Sequence, residues 1–175
     1  MIEQPLVQVM QFSFVVRDLE KAIHHWAETL GVGPFFVLEH VPYQRCLYKG
    51  SPSDIDMSVA IAYRGEVQIE LVQQHNDAQS IFNEFLSSRG EGLQHIASIS
   101  SDLSADLALF AEKGVYPVQE GEAENGTRFA YLDTDLIPGT MLELVSLPNE
   151  VLSAFEFMRN QAAQWKAGDQ ARYGF

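Results

Sequence analysis

Four polar residues stand where the chain around them is otherwise apolar: Gln11 in "QFSFVV", Glu70 in "VQIELV", His95 in "GLQHIA" and Glu143 in "MLELV". One imidazole nitrogen, two carboxylates and an amide oxygen make a plausible shell for a divalent cation. Two carboxylates facing one cavity repel each other unless a cation or protons compensate. Taken singly, each residue has a plain structural explanation. A strand glutamate is usually solvated on an open face, and a lone strand histidine is usually a hydrogen-bonded core residue. An internal repeat joins the four.

The stretch "QFSFVVRDLEKAIHHWAETLGV" lies over "HIASISSDLSADLALFAEKGV" at an offset of 84. That offset sets Gln11 on His95, Asp18 on Asp102, Ile23 on Leu107, Trp26 on Phe110 and Glu28 on Glu112. Each copy opens with an extended run. An aspartate follows, able to cap a helix by accepting from its first free N–H groups. An apolar helical stripe comes next and ends at Gly31 or Gly114. The first copy continues with the strand signals "FFVLEHV", "MSVAIAY" and "VQIELV", the last two joined tightly at Arg64-Gly65-Glu66. The second continues with "VYPVQEG", "TRFAYLD" and "TMLELVSL". Both close alike, Ile69-Glu70-Leu71-Val72 against Leu142-Glu143-Leu144-Val145.

The predicted architecture is α+β: two tandem βαβββ modules forming a curved, partly closed mixed sheet around a cavity. The first module spans 7–75, a linker helix near Ser80–Ser88 lies within 76–91, and the second module spans 92–146. Residues 147–175 hold an amphipathic helix near Glu150–Trp165 and a tail. These parts form one structural domain, because a lone four-stranded sheet would leave its inner face wet. Strand alternation places Gln11 with Ser13, His95 with Ala97 and Glu70 with Gln68 on one face, while Ile69 and Leu71 face the helices. Ser13, Ala97, Ala60 and Ala62 are small enough to leave room for a ligand. Arg45 and Lys49 are candidates for holding an anionic substrate tail, or else solvated loop cations. The apolar stripe of the last helix is expected to cover the sheet, close the cavity or meet a second subunit.

Composition sets outer limits. The 175 residues are 46% hydrophobic and 20% charged, which suits one folded core. A formal net charge of -13 argues against nucleic acid and anionic membrane as partners, and leaves a small molecule open. The single cysteine, Cys46, reads as a buried strand residue and allows no internal disulfide. With no signal peptide and no membrane span evident, the expected location is the cytoplasm.

The paired modules, with "QFSFVVRDLEKAIHHW", "VQIELV", "GEGLQHIA" and "MLELV", resemble the vicinal oxygen chelate superfamily over about residues 7–146. Its members include glyoxalase I, methylmalonyl-CoA epimerase, bleomycin-resistance binding proteins and extradiol dioxygenases. The resemblance implies Gln11, Glu70, His95 and Glu143 as ligands of zinc, nickel, cobalt, manganese or magnesium, with Glu143 or Glu70 as the catalytic base. It implies a metal-dependent lyase or isomerase of the glyoxalase or epimerase type, stabilising an enediolate or enolate. Arg45, Ser13 and Ala97 are the expected substrate contacts, and a homodimer is the expected assembly. Two alternatives differ in class. One is a metal-free ligand-binding protein of the resistance type. The other is an iron(II) dioxygenase, for which one histidine at a ligand position is too few. The similar epimerases show two adjacent histidines where this chain has Gln94-His95, and they use a second-strand glutamate for which only Glu39 is available.

Overall fold

The computed structural model describes residues 8–137 and 139–174. Each apolar alternating run identified in the sequence forms a strand. In the first module these are β1 (Val9–Val15), β2 (Phe35–Leu38), β5 (Met57–Arg64) and β6 (Val67–Gln74), with helix α1 (Leu19–Leu30) after β1. The second module repeats the plan with β7 (Gly92–Ile99), α3 (Leu103–Ala111), β8 (Pro117–Ala123), β9 (Arg128–Ile137) and β10 (Thr140–Ser146). Helix α2 (Ile81–Arg89) links them, and α4 (Asn149–Gln164) follows.

Both aspartates cap as their chemistry dictates. Asp18 accepts from the Lys21 N–H and Asp102 from the Ala105 N–H, each at 3.0 Å. Gly31 ends α1 at φ 65, a left-handed conformation that glycine adopts without penalty.

All strands join one curved, unclosed mixed sheet in the order β11-β2-β5-β6-β1-β7-β10-β9-β8-β3-β4. The first strands of the two modules, β1 and β7, lie side by side at its centre, flanked by the last strands, β6 and β10. The outer face packs on α1 and α3. Leu19 and Ile23 of α1 meet Ile69 and Leu71, and Leu103 and Phe110 of α3 meet Leu142 and Leu144.

Three strands have no counterpart in the predicted pattern. β3 (Tyr43–Tyr48) leaves the first module and pairs with β8 of the second, with the short β4 (Ser51–Pro52) at its edge. β11 (Arg172–Gly174) runs parallel to β2. Each is fixed by a partner far along the chain, so local patterning carries little trace of it. β3 ties the first module to the second through β8, and β11 ties the C-terminal segment to the first module through β2.

Candidate functional site

Register brings the four singled-out residues to the sheet centre. Ser13 stands opposite Glu70 on β6 and, on its other side, opposite His95 on β7. Ala97 stands opposite Gln11 on β1 and opposite Glu143 on β10. The repeat is therefore spatial as well as sequential: Ser13–Glu70 in one module occupies the relation of Ala97–Glu143 in the other. One chain supplies all four donors.

Two irregularities refine the alignment. The β1/β7 register shifts between Val9 and Gln11, and again between Ser13 and Phe14. The first inserts Met10 into β1 and the second inserts Gln94 into β7. Such a bulge re-aims neighbouring side chains. Gln94 thereby comes beside His95, its Oε1 2.8 Å from Nδ1. With the amide oxygen facing the ring, Nδ1 donates and Nε2 is left for the site.

His95 is fully buried, and its Nε2 lies 3.4 Å from Glu143 and 3.5 Å from Glu70. Neither contact is aligned as a hydrogen bond, so Nε2 has no hydrogen-bond partner. Burial opposes charge on the imidazole, but Glu143 and Glu70 outweigh it and raise the pKa to about 9. Glu70 also accepts from the Ser13 hydroxyl at 2.7 Å. Gln11 donates its Nε2 to Gln68 Oε1 at 2.6 Å, and Gln68 donates to the Tyr63 hydroxyl at 2.7 Å. This chain holds the Gln11 amide and leaves its oxygen as the atom to offer a cation.

Among the described residues, no three His, Cys, Asp or Glu side chains are already gathered as a complete metal cage. His95 is instead the hub of the set. Its spacing to the carboxylates matches what an ion needs, because two ligands of a tetrahedral ion at about 2.1 Å stand about 3.4 Å apart. A buried nitrogen without a hydrogen-bond partner, two carboxylates at that spacing, and the bonds from Gln94, Ser13 and Gln68 that hold these groups fit a divalent metal.

Above the four lies a cavity of about 450 Å³, lined by Gln11, Glu70 and Glu143 at its floor and by mostly apolar side chains on its walls, with Asn125, Thr127 and Glu150 among them. Val151, Phe155 and Met158 of α4 contribute to the lining, so the last helix forms one wall of the cavity. Tyr43 and Tyr131 also line it. Burial pushes both phenols up, Tyr131 further under the nearby Glu143 and Glu70, so both keep their protons. Tyr131 stands opposite Glu143 on β9 just as Ile61 stands opposite Glu70 on β5. Sequence spacing does not reveal this match, because Glu70 follows Ile61 by nine residues (70 − 61) and Glu143 follows Tyr131 by twelve (143 − 131), the second hairpin being irregular between Thr140 and Leu142.

Several expected contacts lie elsewhere. Ser13 and Ala97 have no exposed surface; Ser13 orients Glu70 rather than touching a ligand. Ala60 and Ala62 belong to the helix-facing core, because Val59 and Ile61 hold the inward positions of β5. The Arg45 side chain is 58% exposed, 3.9 Å from Glu120, and outside the cavity lining. The β3/β8 register shifts between Tyr43 and Arg45, so Tyr43 faces inward and Arg45 does not. Lys49 pairs with Glu84 at 3.1 Å on the surface, and Glu39 pairs with Arg172.

The model of the Glyoxalase/Bleomycin resistance protein/Dioxygenase superfamily matches residues 10–131. The uncharacterized protein YqjC of Bacillus subtilis (strain 168) is 27% identical over 100 residues, 56% of this chain and 71% of that protein. Methylmalonyl-CoA epimerase from Mycobacterium tuberculosis superposes with a TM-score of 0.62 at 20% identity, over 87% of this chain and 96% of that one. A Streptomyces coelicolor methylmalonyl-CoA epimerase variant, in complex with 2-nitronate-propionyl-CoA, superposes with a TM-score of 0.57 at 20% identity, over 82% and 96%. At these identities the likeness is one of fold. Among the described residues, no helix is long and apolar enough to cross a membrane.

Proposed function

Since the chain belongs to the Glyoxalase/Bleomycin resistance protein/Dioxygenase superfamily, we propose that it is a divalent-metal-dependent lyase or isomerase acting on a small carbonyl compound. The observation that carries this reading is His95 Nε2: buried, without a hydrogen-bond partner, and within 3.5 Å of carboxylates from both modules. Gln11, Glu70, His95 and Glu143 would hold the ion. When bound, it supplies Lewis-acid stabilisation of the enediolate or enolate left when a proton departs beside the carbonyl.

The protein's own groups do the rest. Ser13 fixes Glu70 by its hydroxyl bond, which suits a permanent ligand. Glu143 is the base that takes the proton. Tyr131, still protonated, offers an O–H at the same end of the cavity. The apolar walls and α4 keep water from the carbanion. Return of the proton by Glu143 to the neighbouring carbon completes a glyoxalase-type isomerisation. An epimerisation needs a second acid on the opposite face, and Glu39 is exposed and engaged with Arg172. This favours the glyoxalase type. A second copy of this chain is the expected macromolecular partner, read out by sedimentation velocity.

Calorimetric titration of metal-free protein with zinc, nickel, cobalt, manganese and magnesium tests the reading. We expect one site per chain in the native protein and its loss in Gln11→Ala and Glu143→Gln. Unchanged stoichiometry in both variants would sink it. A metal-free binding protein is the second reading, supported by the same His95 standing between both carboxylates, where its imidazolium offsets part of their charge. Ligand binding indifferent to a chelator would favour it.

A further inference from the structure

We infer that the cavity selects an electrically neutral, largely apolar molecule with two neighbouring oxygens at one end, and rejects substrates carrying carboxylate or phosphate groups. The inference rests on the proposed function for what happens to those oxygens; the selection itself follows from the cavity walls.

Among the described residues, none that lines the cavity is Lys, Arg or His. The residues outside the described range contain none either. The charged lining is wholly acidic: Glu70 and Glu143 at the floor, and Glu150 where α4 begins. Beyond the floor, where His95 and the proposed ion are already balanced by Glu70 and Glu143, an anionic tail would lose its hydration against walls that offer it no cationic side chain. The net charge of -13 adds a long-range repulsion.

Candidate cations are committed or turned away. Arg45, Lys49, Arg159 and Arg172 pair with Glu120, Glu84, Glu66 and Glu20. Arg128 sits beside the lining residue Thr127, yet Thr127, Phe129 and Tyr131 take the inward positions of the strand, which turns Arg128 to the other face. Gln11, Tyr131 and the two glutamates lie at the floor, and Asn125 and Thr127 add only uncharged polar atoms to the lining. Phe36, Met57, Val59 and Ile61 from the sheet, with Phe155 and Met158 from α4, make the apolar remainder. A volume of about 450 Å³ suits a compact ligand buried on most sides. α4 is therefore a specificity element as well as a wall.

The test compares three probes by titration calorimetry on the full chain, with zinc added and after chelation: 2-hydroxy-1-phenylethanone, its 4-carboxy derivative, and propionyl-CoA. The expected result is binding of the neutral ketone at least ten-fold tighter than either anion. Ala154→Arg, which places a cation on the α4 wall, should narrow or reverse that ratio. Equal or tighter binding of the carboxylated ketone or propionyl-CoA by the native protein overturns the inference, as does no binding of the neutral ketone. The two readings fail separately. If the neutral ketone binds but no metal does, the neutral selection stands and the metal-dependent mechanism falls. If metal binds through Gln11 and Glu143 while only propionyl-CoA binds, the mechanism stands and the selection falls.

Discussion

Gln94 Oε1 lies 2.8 Å from His95 Nδ1, although the two residues are sequence neighbours on one strand. An uninterrupted strand would send them to opposite faces; the β7 bulge brings them together. The bond fixes the ring so that Nε2 faces Glu70 and Glu143. Such outer-shell bonds typically contribute 10–100-fold to metal affinity. Gln94→Ala should therefore weaken zinc binding by about 10- to 100-fold without abolishing it, as read by competition with a chelating dye. Native affinity in this variant would show that Gln94 does not position the ring.

The His95 pKa, raised to about 9, makes the metal-free protein pH-sensitive. A pKa raised on folding adds stability that is complete below the unfolded value of about 6.5 and is lost as pH climbs through the folded value. Thermal unfolding of metal-free protein should fall between about pH 6.5 and 9, and His95→Gln should flatten that component of the slope. Metal loading should rise over the same window, because the ion competes with the Nε2 proton.

The four floor residues were readable because the repeat at offset 84 carried them. Gln11 matched His95, and the closing "IELV" and "LELV" matched each other. Helix caps at Asp18 and Asp102 followed from local chemistry. What local pattern missed was set by register. The bulges at Met10, Gln94 and Gln44 shift alternation by one residue, and nothing in those side chains announces it. They explain why Gln94 joins the site and Arg45 leaves it. Ala60 and Ala62 leave no room in the cavity because they face the helices, and the unbroken apolar run at 59–62 offers no contrast between its two sides to show this. The wall that α4 adds to the cavity depends on how a distant helix docks, which its own stripe permits but does not specify.

Capping aspartates in both modules should matter alike. Asp18→Ala and Asp102→Ala should each cost about 1 kcal/mol in urea unfolding. A loss confined to one module would mean that the other helix is held by packing alone.

Cys46 lies buried, and that burial pushes its thiol up to about 11 against the opposing pull of Arg45. Its alkylation by iodoacetamide at pH 8 should run about a hundred-fold slower than that of free cysteine. Rapid modification would mean that β3 opens readily from β8.

The central claim is that Gln11, Glu70, His95 and Glu143 close around one divalent ion. Its most direct measurement is anomalous diffraction from crystals soaked in zinc or nickel. The account predicts a single strong peak about 2.1 Å from His95 Nε2, with an oxygen of each glutamate and of Gln11 in its shell. A floor without a peak, and His95 still lying between Glu70 and Glu143 at saturating metal, would contradict it.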